Sequence, residues 1–185
     1  MGYCPSDVKH QVRGRIITPI YDIYGELVAL STRHPDEKVK NRFWHESFDK
    51  GSYLYGLFYA KDTIRRCNKV IVVEGEFDVA ALHSAGFIMS VGVCGSAFTL
   101  FQVSLLSRYC SDFYLMFDGD ESGRKAIYKS MEMYKKFNLR AYNLNFIPVF
   151  LPGGEDPDSF LIGKGRKRMK EKLVESKENK EFKGI

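Results

Sequence analysis

Between residues 69 and 150 short apolar runs alternate with stretches of helical period. "VIVVEG" is a continuous apolar run that stops at Glu74 and Gly75, the pattern of a strand covered on both faces. "DVAALHSAG" then has the spacing of a short helix closed by Gly86. "FIMSVGV" predicts a second strand, "TLFQVSLLSRY" a second helix, "DFYLMF" a third strand and "ESGRKAIYKSMEMYKKF" an amphipathic third helix. "RAYNLNFIPVF" supplies a fourth strand. This alternation predicts an α/β domain with a mainly parallel four-stranded sheet flanked by helices.

The rest of the chain is less regular. "RIITPIYDIYGELVAL", residues 15–30, reads as a hairpin of two short strands turning at "DIYGE". "STRHPDEKVKNRFWHES" is polar, basic and interrupted by Pro35, so it predicts a loop. "YLYGLFYAKDTIRR" has helix-compatible apolar spacing despite Gly56. "LPGGEDPDSFLIGKG" begins as a turn, with Asp156 or Asp158 placed to cap a short helix. The tail from Gly163 is Lys-rich with interleaved Glu, the composition of a solvated helix. No internal repeat is visible.

Composition narrows the class. With 44% hydrophobic and 14% aromatic residues in 185, the chain can bury one sizeable core and is not disordered. No apolar run approaches the roughly 18 residues of a membrane span, and "MGYCPSDVKH" lacks the layout of a signal peptide, which predicts a cytoplasmic protein. Cys4, Cys67, Cys94 and Cys110 are widely spaced, without C-x-x-C pairs or His at zinc-finger spacing, so free thiols are expected rather than zinc ligands or a disulfide framework.

The net charge of +5 is unevenly distributed. Residues 1–69 hold 12 Lys/Arg against 8 Asp/Glu, residues 70–160 hold 7 against 11, and residues 161–185 hold 9 against 4. An acidic centre between basic flanks suits metal ions held inside and a polyanion held outside.

The acids themselves are the candidate chemistry. Glu74, Glu76 and Asp78 follow the first predicted strand, Asp118, Asp120 and Glu121 the third, and Glu155, Asp156 and Asp158 the fourth. In an open parallel sheet these ends share one edge, where α/β proteins build their sites. Gathering four or more carboxylates at pH 7 requires protonation or bound cations, and an all-oxygen set favours Mg²⁺, Mn²⁺ or Ca²⁺ over zinc. In Asp118-Gly119-Asp120 an extended chain points both carboxylates to one face, and Gly119 leaves room for a ligand near the backbone. Helix capping is the alternative role for each acid taken singly.

The order of "VIVVEGEFDVAALHSAG", "VCGSAFT" and "LMFDGDESGRKA" resembles the Toprim domain found in DnaG-type primases, topoisomerases and some nucleases. The flanks narrow the resemblance to the primases. "RGRIITPIYDIYGELVAL" is similar to the primase stretch preceding its Toprim domain, "DKGSYLYGLFYA" to its Lys-Gly-x-x-Leu-Tyr-Gly-Leu element, and "LPGGEDPDSFL" to its Asp-Pro-Asp segment. The resemblance covers roughly residues 12 to 162. It implies a small mixed α+β subdomain at 1–68, basic and truncated, a Toprim domain at 69–162, and a Lys-rich tail or helix at 163–185.

What the resemblance implies for function is a primase catalytic core, a nucleotidyltransferase that makes RNA primers from NTPs on single-stranded DNA during replication. By motif position Glu74 is the Toprim glutamate, an acid/base or metal-site residue. Asp118 and Asp120 bind Mg²⁺, with Mn²⁺ as a substitute, and Asp78, Asp156 and Asp158 complete the pocket. Arg13, Arg15, Arg33 and Lys50 fall where the family contacts template or nucleotide, and exposed solubilising roles are the alternative for each. A 3′-hydroxyl attacking the α-phosphorus of an NTP suits two hard cations about 3.5–4 Å apart. Arg124 either helps balance the pocket or faces solvent. A replicative helicase and a zinc-binding module acting in trans are further implied partners. A Toprim-type Mg²⁺-dependent nuclease and a catalytically reduced DNA-binding accessory protein are the competing readings.

The sequence departs from the family in several places. The usual "EGYMDV" is "EGEFDV", which puts Glu76 beside the site, facing solvent or lying just outside the metal pocket. The S-L-G-T loop is Val93-Cys94-Gly95-Ser96, and Cys94 has no nearby base to activate it. Within these 185 residues the resemblance extends to neither the family's zinc-ribbon module nor its helicase-binding domain. "GYCPSD", similar to the family's Gly-Tyr-Ala-Pro element, is followed closely by "RGRI". A compact phage or mobile-element primase, a split subunit and an excised fragment are all consistent with this.

Overall fold

A computed structural model describes residues 1–5, 12–95 and 97–179. Ser6 and Asp7 of "GYCPSD", Ser96 of the loop after the second parallel strand, and the tail beyond 179 lie outside the described residues. The chain divides into two compact units, Met1–Asp49 and Lys50–Ile185.

The first unit is a four-stranded antiparallel sheet in chain order, β1 (Gly2–Tyr3), β2 (Ile16–Tyr21), β3 (Leu27–Arg33) and β4 (Phe43–His45). The expected hairpin joins β2 to β3. Asp22 Oδ1 accepts from the amides of Tyr24 (2.8 Å) and Glu26 (2.9 Å), an Asx turn that fixes the reversal. Ile20 and Ala29 face each other across the pair and are fully buried. The segment read as a loop after Leu30 instead continues β3 to Arg33 and returns as β4. Three residues, Phe-Trp-His, are too few to show a period. Their register is set by His34 and Arg42, whose backbone groups pair at 2.8 Å, and by Thr32 Oγ1 donating to the Trp44 carbonyl at 3.1 Å.

The second unit begins with a 3₁₀ turn at Lys50–Ser52 and α1 (Leu57–Cys67). Gly56 is not inside the helix but caps it with φ of 83°, so the helix starts four residues later than its apolar spacing suggests. β5 (Lys69–Val73), α2 (Glu76–Ser84), β6 (Ser90–Gly92), α3 (Leu100–Leu106), β7 (Asp112–Leu115), α4 (Glu121–Lys136), β8 (Asn145–Pro148) and α5 (Pro157–Glu178) follow. The sheet order is β6-β5-β7-β8 and every pair is parallel. The first residues of the expected fourth strand, 140–142, belong instead to a 3₁₀ turn, Leu139–Tyr142, that buries Leu139 before the strand begins.

Alternation along β5 divides the core between the two faces of the sheet. Ile71 and Val73 pack with Val79 and Leu82 of α2 and with Phe160 and Met169 of α5. Across the sheet Phe113, Phe146 and Phe98 form a ring cluster with centroids 5.2–6.4 Å apart, joined by Tyr134 of α4. The tail is therefore more than a solvated helix. Met169 is wholly buried and Leu173 packs against the same cluster, an i, i+4 pair hidden in sequence by the surrounding lysines. α5 reaches them after a kink at Gly165.

Candidate active site

The carboxyl ends of β5, β7 and β8 open on one edge of the sheet, as parallel pairing requires. Glu74 leaves β5 half-buried, and its Oε1 accepts the backbone amide of Asp118 at 3.3 Å. Asp78, on the first turn of α2, is the most enclosed acid of the group and accepts the Gly75 amide at 3.2 Å through Oδ2. Asp118 follows β7, and Asp120 caps α4 by accepting the Gly123 amide at 2.8 Å. Asp156 caps α5 by accepting the Ser159 amide at 2.7 Å, and Asp158 lies on its first turn.

These acids feel one another. Burial first, then the charges of Asp118 and Asp156, push the Asp78 carboxyl up to about 7, although the Gly75 amide pulls it down. Asp158 adds to the upward push. Asp118 is raised to about 6 by burial, then by Glu74, Asp156 and Asp120. Glu74 is raised by burial, lowered by the Asp118 amide and raised by Asp120. Three turns separated by up to some 80 residues of sequence thus form one electrostatic cluster.

The turns are locked together at Gly119. Its amide donates to the Glu155 carbonyl at 2.8 Å, and a Cβ at this position would overlap the Pro152 carbonyl. Sequence reasoning assigned the small residue to ligand access; its role here is backbone contact between the turn after β7 and the turn after β8. Glu155 arrives with it, its Oε2 buried and without a hydrogen-bond partner, as is Asp118 Oδ1.

An all-oxygen donor set with two buried, unpartnered carboxylate oxygens fits a hard divalent cation. Among the described residues, no three His, Cys, Asp or Glu side chains already close around a point.

The remaining candidates are placed as follows. Glu76 opens α2 half-buried, where its charge acts on Tyr55 and Cys94. Cys94 is buried, and burial first and Glu76 second push its thiol up to about 12, far from a nucleophile. Glu121 is exposed and paired with Lys125 at 2.5 Å. The Arg124 guanidinium lies 5.8 Å from the centre of the Phe150 ring. Lys50 opens the 3₁₀ turn of the second unit. In the first unit Arg13 is exposed, whereas Arg15 donates to the carbonyls of Arg42 (2.8 Å) and Asn41 (2.9 Å). Arg33 ends β3 with its guanidinium 5.5 Å from the centre of the Phe43 ring.

Sequence reasoning missed Gln102. It is fully buried, and its amide donates to the carbonyls of Lys50, Tyr53 and Val93. A polar residue in a helix of mixed spacing gives no sign of this; only Thr99 three residues before it, the first half of a capping box, is a local signal.

Comparison with known proteins agrees with this architecture. A family model for the Toprim domain matches residues 68–145. The DNA primase of Aquifex aeolicus is 32% identical over 166 residues, which cover 88% of this chain and 32% of that protein. A solved structure of the DnaG catalytic core superposes with a TM-score of 0.80 at 28% identity, over 89% of this chain and 54% of that one. A DnaG primase catalytic domain bound to ssDNA gives 0.80 at 28% identity, over 88% of this chain and 52% of that one. The chain spans about a third of the length of the curated relative from Aquifex. No helix among the described residues is long and apolar enough to cross a membrane.

Proposed function

The chain carries a Toprim domain and is homologous to the catalytic core of DnaG-type DNA primases, and from that premise we propose that it joins ribonucleotides into primers on single-stranded DNA. The observation that carries this reading is the gathering of Glu74, Asp78 and Asp118 on one edge of a Toprim sheet, with the Asp118 amide on Glu74 and with Asp118 Oδ1 and Glu155 Oε2 buried without hydrogen-bond partners. Burial first, and neighbouring acids second, raise all three carboxyls. Such a cluster is best satisfied by divalent cations.

Glu74, Asp118 and Asp120 would hold Mg²⁺, or Mn²⁺ in its place, with Asp78, Asp156 and Asp158 completing the charge around it. A divalent cation bound there would supply Lewis-acid stabilisation of phosphate charge. The protein's part is positional. The Gly119 lock brings the Asp118 turn to the turn that carries Asp156, and the helix caps made by Asp120 and Asp156 fix those two carboxylates in orientation. Glu74, oriented by the Asp118 amide, is the candidate acid/base of the site, in keeping with its motif position.

Lys50 supplies positive charge to phosphates in the second unit. Arg13, Arg15 and Arg33 supply it in the first, where they contact template without reading its sequence. The ssDNA bound to a related catalytic domain supports a single-stranded template as partner. A helicase and a zinc-binding module in trans remain the further partners of this reading.

Incubation of the purified chain with labelled NTPs, Mg²⁺ and a single-stranded template tests it. Template-dependent oligoribonucleotides that disappear with Asp118→Asn are the expected result. Degradation of the template without any product would reassign the same acids to a nuclease.

A further inference from the structure

The geometry points to Gln102 as a positioning residue that fixes Lys50 beside Gly95 and Cys94, an inference that rests on the reading of Lys50 as a phosphate contact. Gln102 is 0% exposed, the only glutamine among the buried polar residues described. Its Nε2 lies within hydrogen-bond distance of the carbonyls of Tyr53 (2.7 Å), Lys50 (3.1 Å) and Val93 (3.3 Å), which share its two N–H groups. Its Oε1 accepts the Thr99 amide at 3.1 Å, and Thr99 Oγ1 in turn donates to the Gly51 carbonyl at 2.7 Å. The amide orientation is fixed by its surroundings, because three carbonyls on one side demand the NH₂ group and a backbone N–H on the other demands the oxygen.

The consequence is a backbone segment held at successive residues. Lys50, Gly51 and Tyr53 give their carbonyls to the N-terminal turn of α3, and Tyr55 exchanges both backbone hydrogen bonds with Gly92 at the end of β6 (2.9 and 3.0 Å). The Lys50 stem lies over Gly95, where a Cβ would sit 3.7 Å from its Cδ. β6 pairs directly with β5, the strand that delivers Glu74.

A lysine ammonium on a four-carbon stem has little geometry of its own, so its placement depends on how firmly its backbone is held. Gln102 is the part of this clamp that touches Lys50 itself and the loop beneath it at the same time. Replacing its amide with an apolar chain removes the Gln102 hydrogen bonds to Lys50, Tyr53 and Val93 and loosens the turn.

The test compares Gln102→Met, Lys50→Ala and the double variant in binding of a fluorescent single-stranded DNA oligonucleotide and of Mg-ATP at fixed salt. Lys50→Ala and Gln102→Met are each expected to weaken one of these ligands about tenfold, the effect of losing one charge-assisted contact. The double variant is expected to be no weaker than Lys50→Ala. That non-additivity separates positioning from general support, since a loss of stability caused by Gln102→Met persists whether or not Lys50 is present. If Gln102→Met does not fold, Gln102→His, which retains one N–H donor, replaces it in the same cycle with an intermediate loss expected. Wild-type binding by a folded Gln102 variant, or additive losses in the double variant, would overturn the inference while leaving the primase reading intact. No effect of Lys50→Ala would remove the phosphate role of Lys50 and this inference with it, whereas primer synthesis would still be decided by Asp118→Asn.

Discussion

The Asp118 amide donates to the Glu74 carboxylate across 44 residues of sequence, tying the turn after β5 to the turn after β7. The bond sets an expectation for Glu74→Gln. A glutamine carbonyl can accept the same amide, so the connection survives while the charge is lost. Thermal unfolding is expected to be unchanged or slightly raised, because one member of a repelling cluster has gone. Primer synthesis is expected to fall by at least about a hundredfold, the scale on which a positioned proton acceptor contributes. Activity near wild type would remove Glu74 from the chemistry.

The raised carboxyls make stability depend on pH in a defined direction. Asp118 and Asp78 bind protons more tightly folded, at about 6 and about 7, than at their ordinary value of 3.8. The folded state therefore holds more protons than the unfolded one across this window, and stability falls as pH rises from about 4 to about 7. Melting temperatures in EDTA are expected to decline from pH 5 to pH 8, less steeply in Asp78→Asn. Added Mg²⁺ or Mn²⁺ should raise the melting temperature more at pH 8 than at pH 5, since cations bind the ionised form. A pH-independent metal effect would speak against these carboxylates as the ligands.

Much of this site was legible because three signals coincided: apolar runs, the acids that end them, and the parallel topology that brings such ends together. Asp118-Gly119-Asp120 could be placed at the mouth of a strand from its neighbours alone. The purpose of Gly119 could not, because the Pro152 carbonyl that excludes a Cβ belongs to a turn more than thirty residues later. β4 was hidden by its length, and the buried face of α5 by the lysines around Met169 and Leu173. Gln102 was hidden for another reason: its partners are backbone carbonyls, which leave no mark in the sequence.

Gly119→Ala and Gly153→Ala separate close contact from chain flexibility. At Gly119 an added methyl overlaps the Pro152 carbonyl, and the Glu155 carbonyl is also in the way. Relief requires the two turns to part, at a cost of about 2–3 kcal/mol and with loss of the Asp118–Asp156 proximity. Chemical denaturation should show that loss together with weakened metal-dependent stabilisation. At Gly153 nothing lies within 4 Å of the position, so the same substitution should change stability by no more than about 0.5 kcal/mol. Equal effects at both sites would mean that the contact at Gly119 does not hold the turns.

Arg13 and Arg15 lie two residues apart but should fail differently. Arg15 uses its guanidinium on the carbonyls of Asn41 and Arg42, so Arg15→Ala removes two hydrogen bonds that hold the chain entering β4. It should lower the stability of the antiparallel unit by about 1–2 kcal/mol. Arg13 is exposed, and Arg13→Ala should leave stability within about 0.5 kcal/mol of wild type. If Arg13 meets a phosphate, its loss weakens binding equally for all sequences, and the slope of log affinity against log salt becomes shallower by about 0.7 for a single strand. Titrating a fluorescent oligonucleotide at several salt concentrations measures that slope directly. An unchanged slope in Arg13→Ala would assign Arg13 to solubility and leave template contact to the other basic side chains.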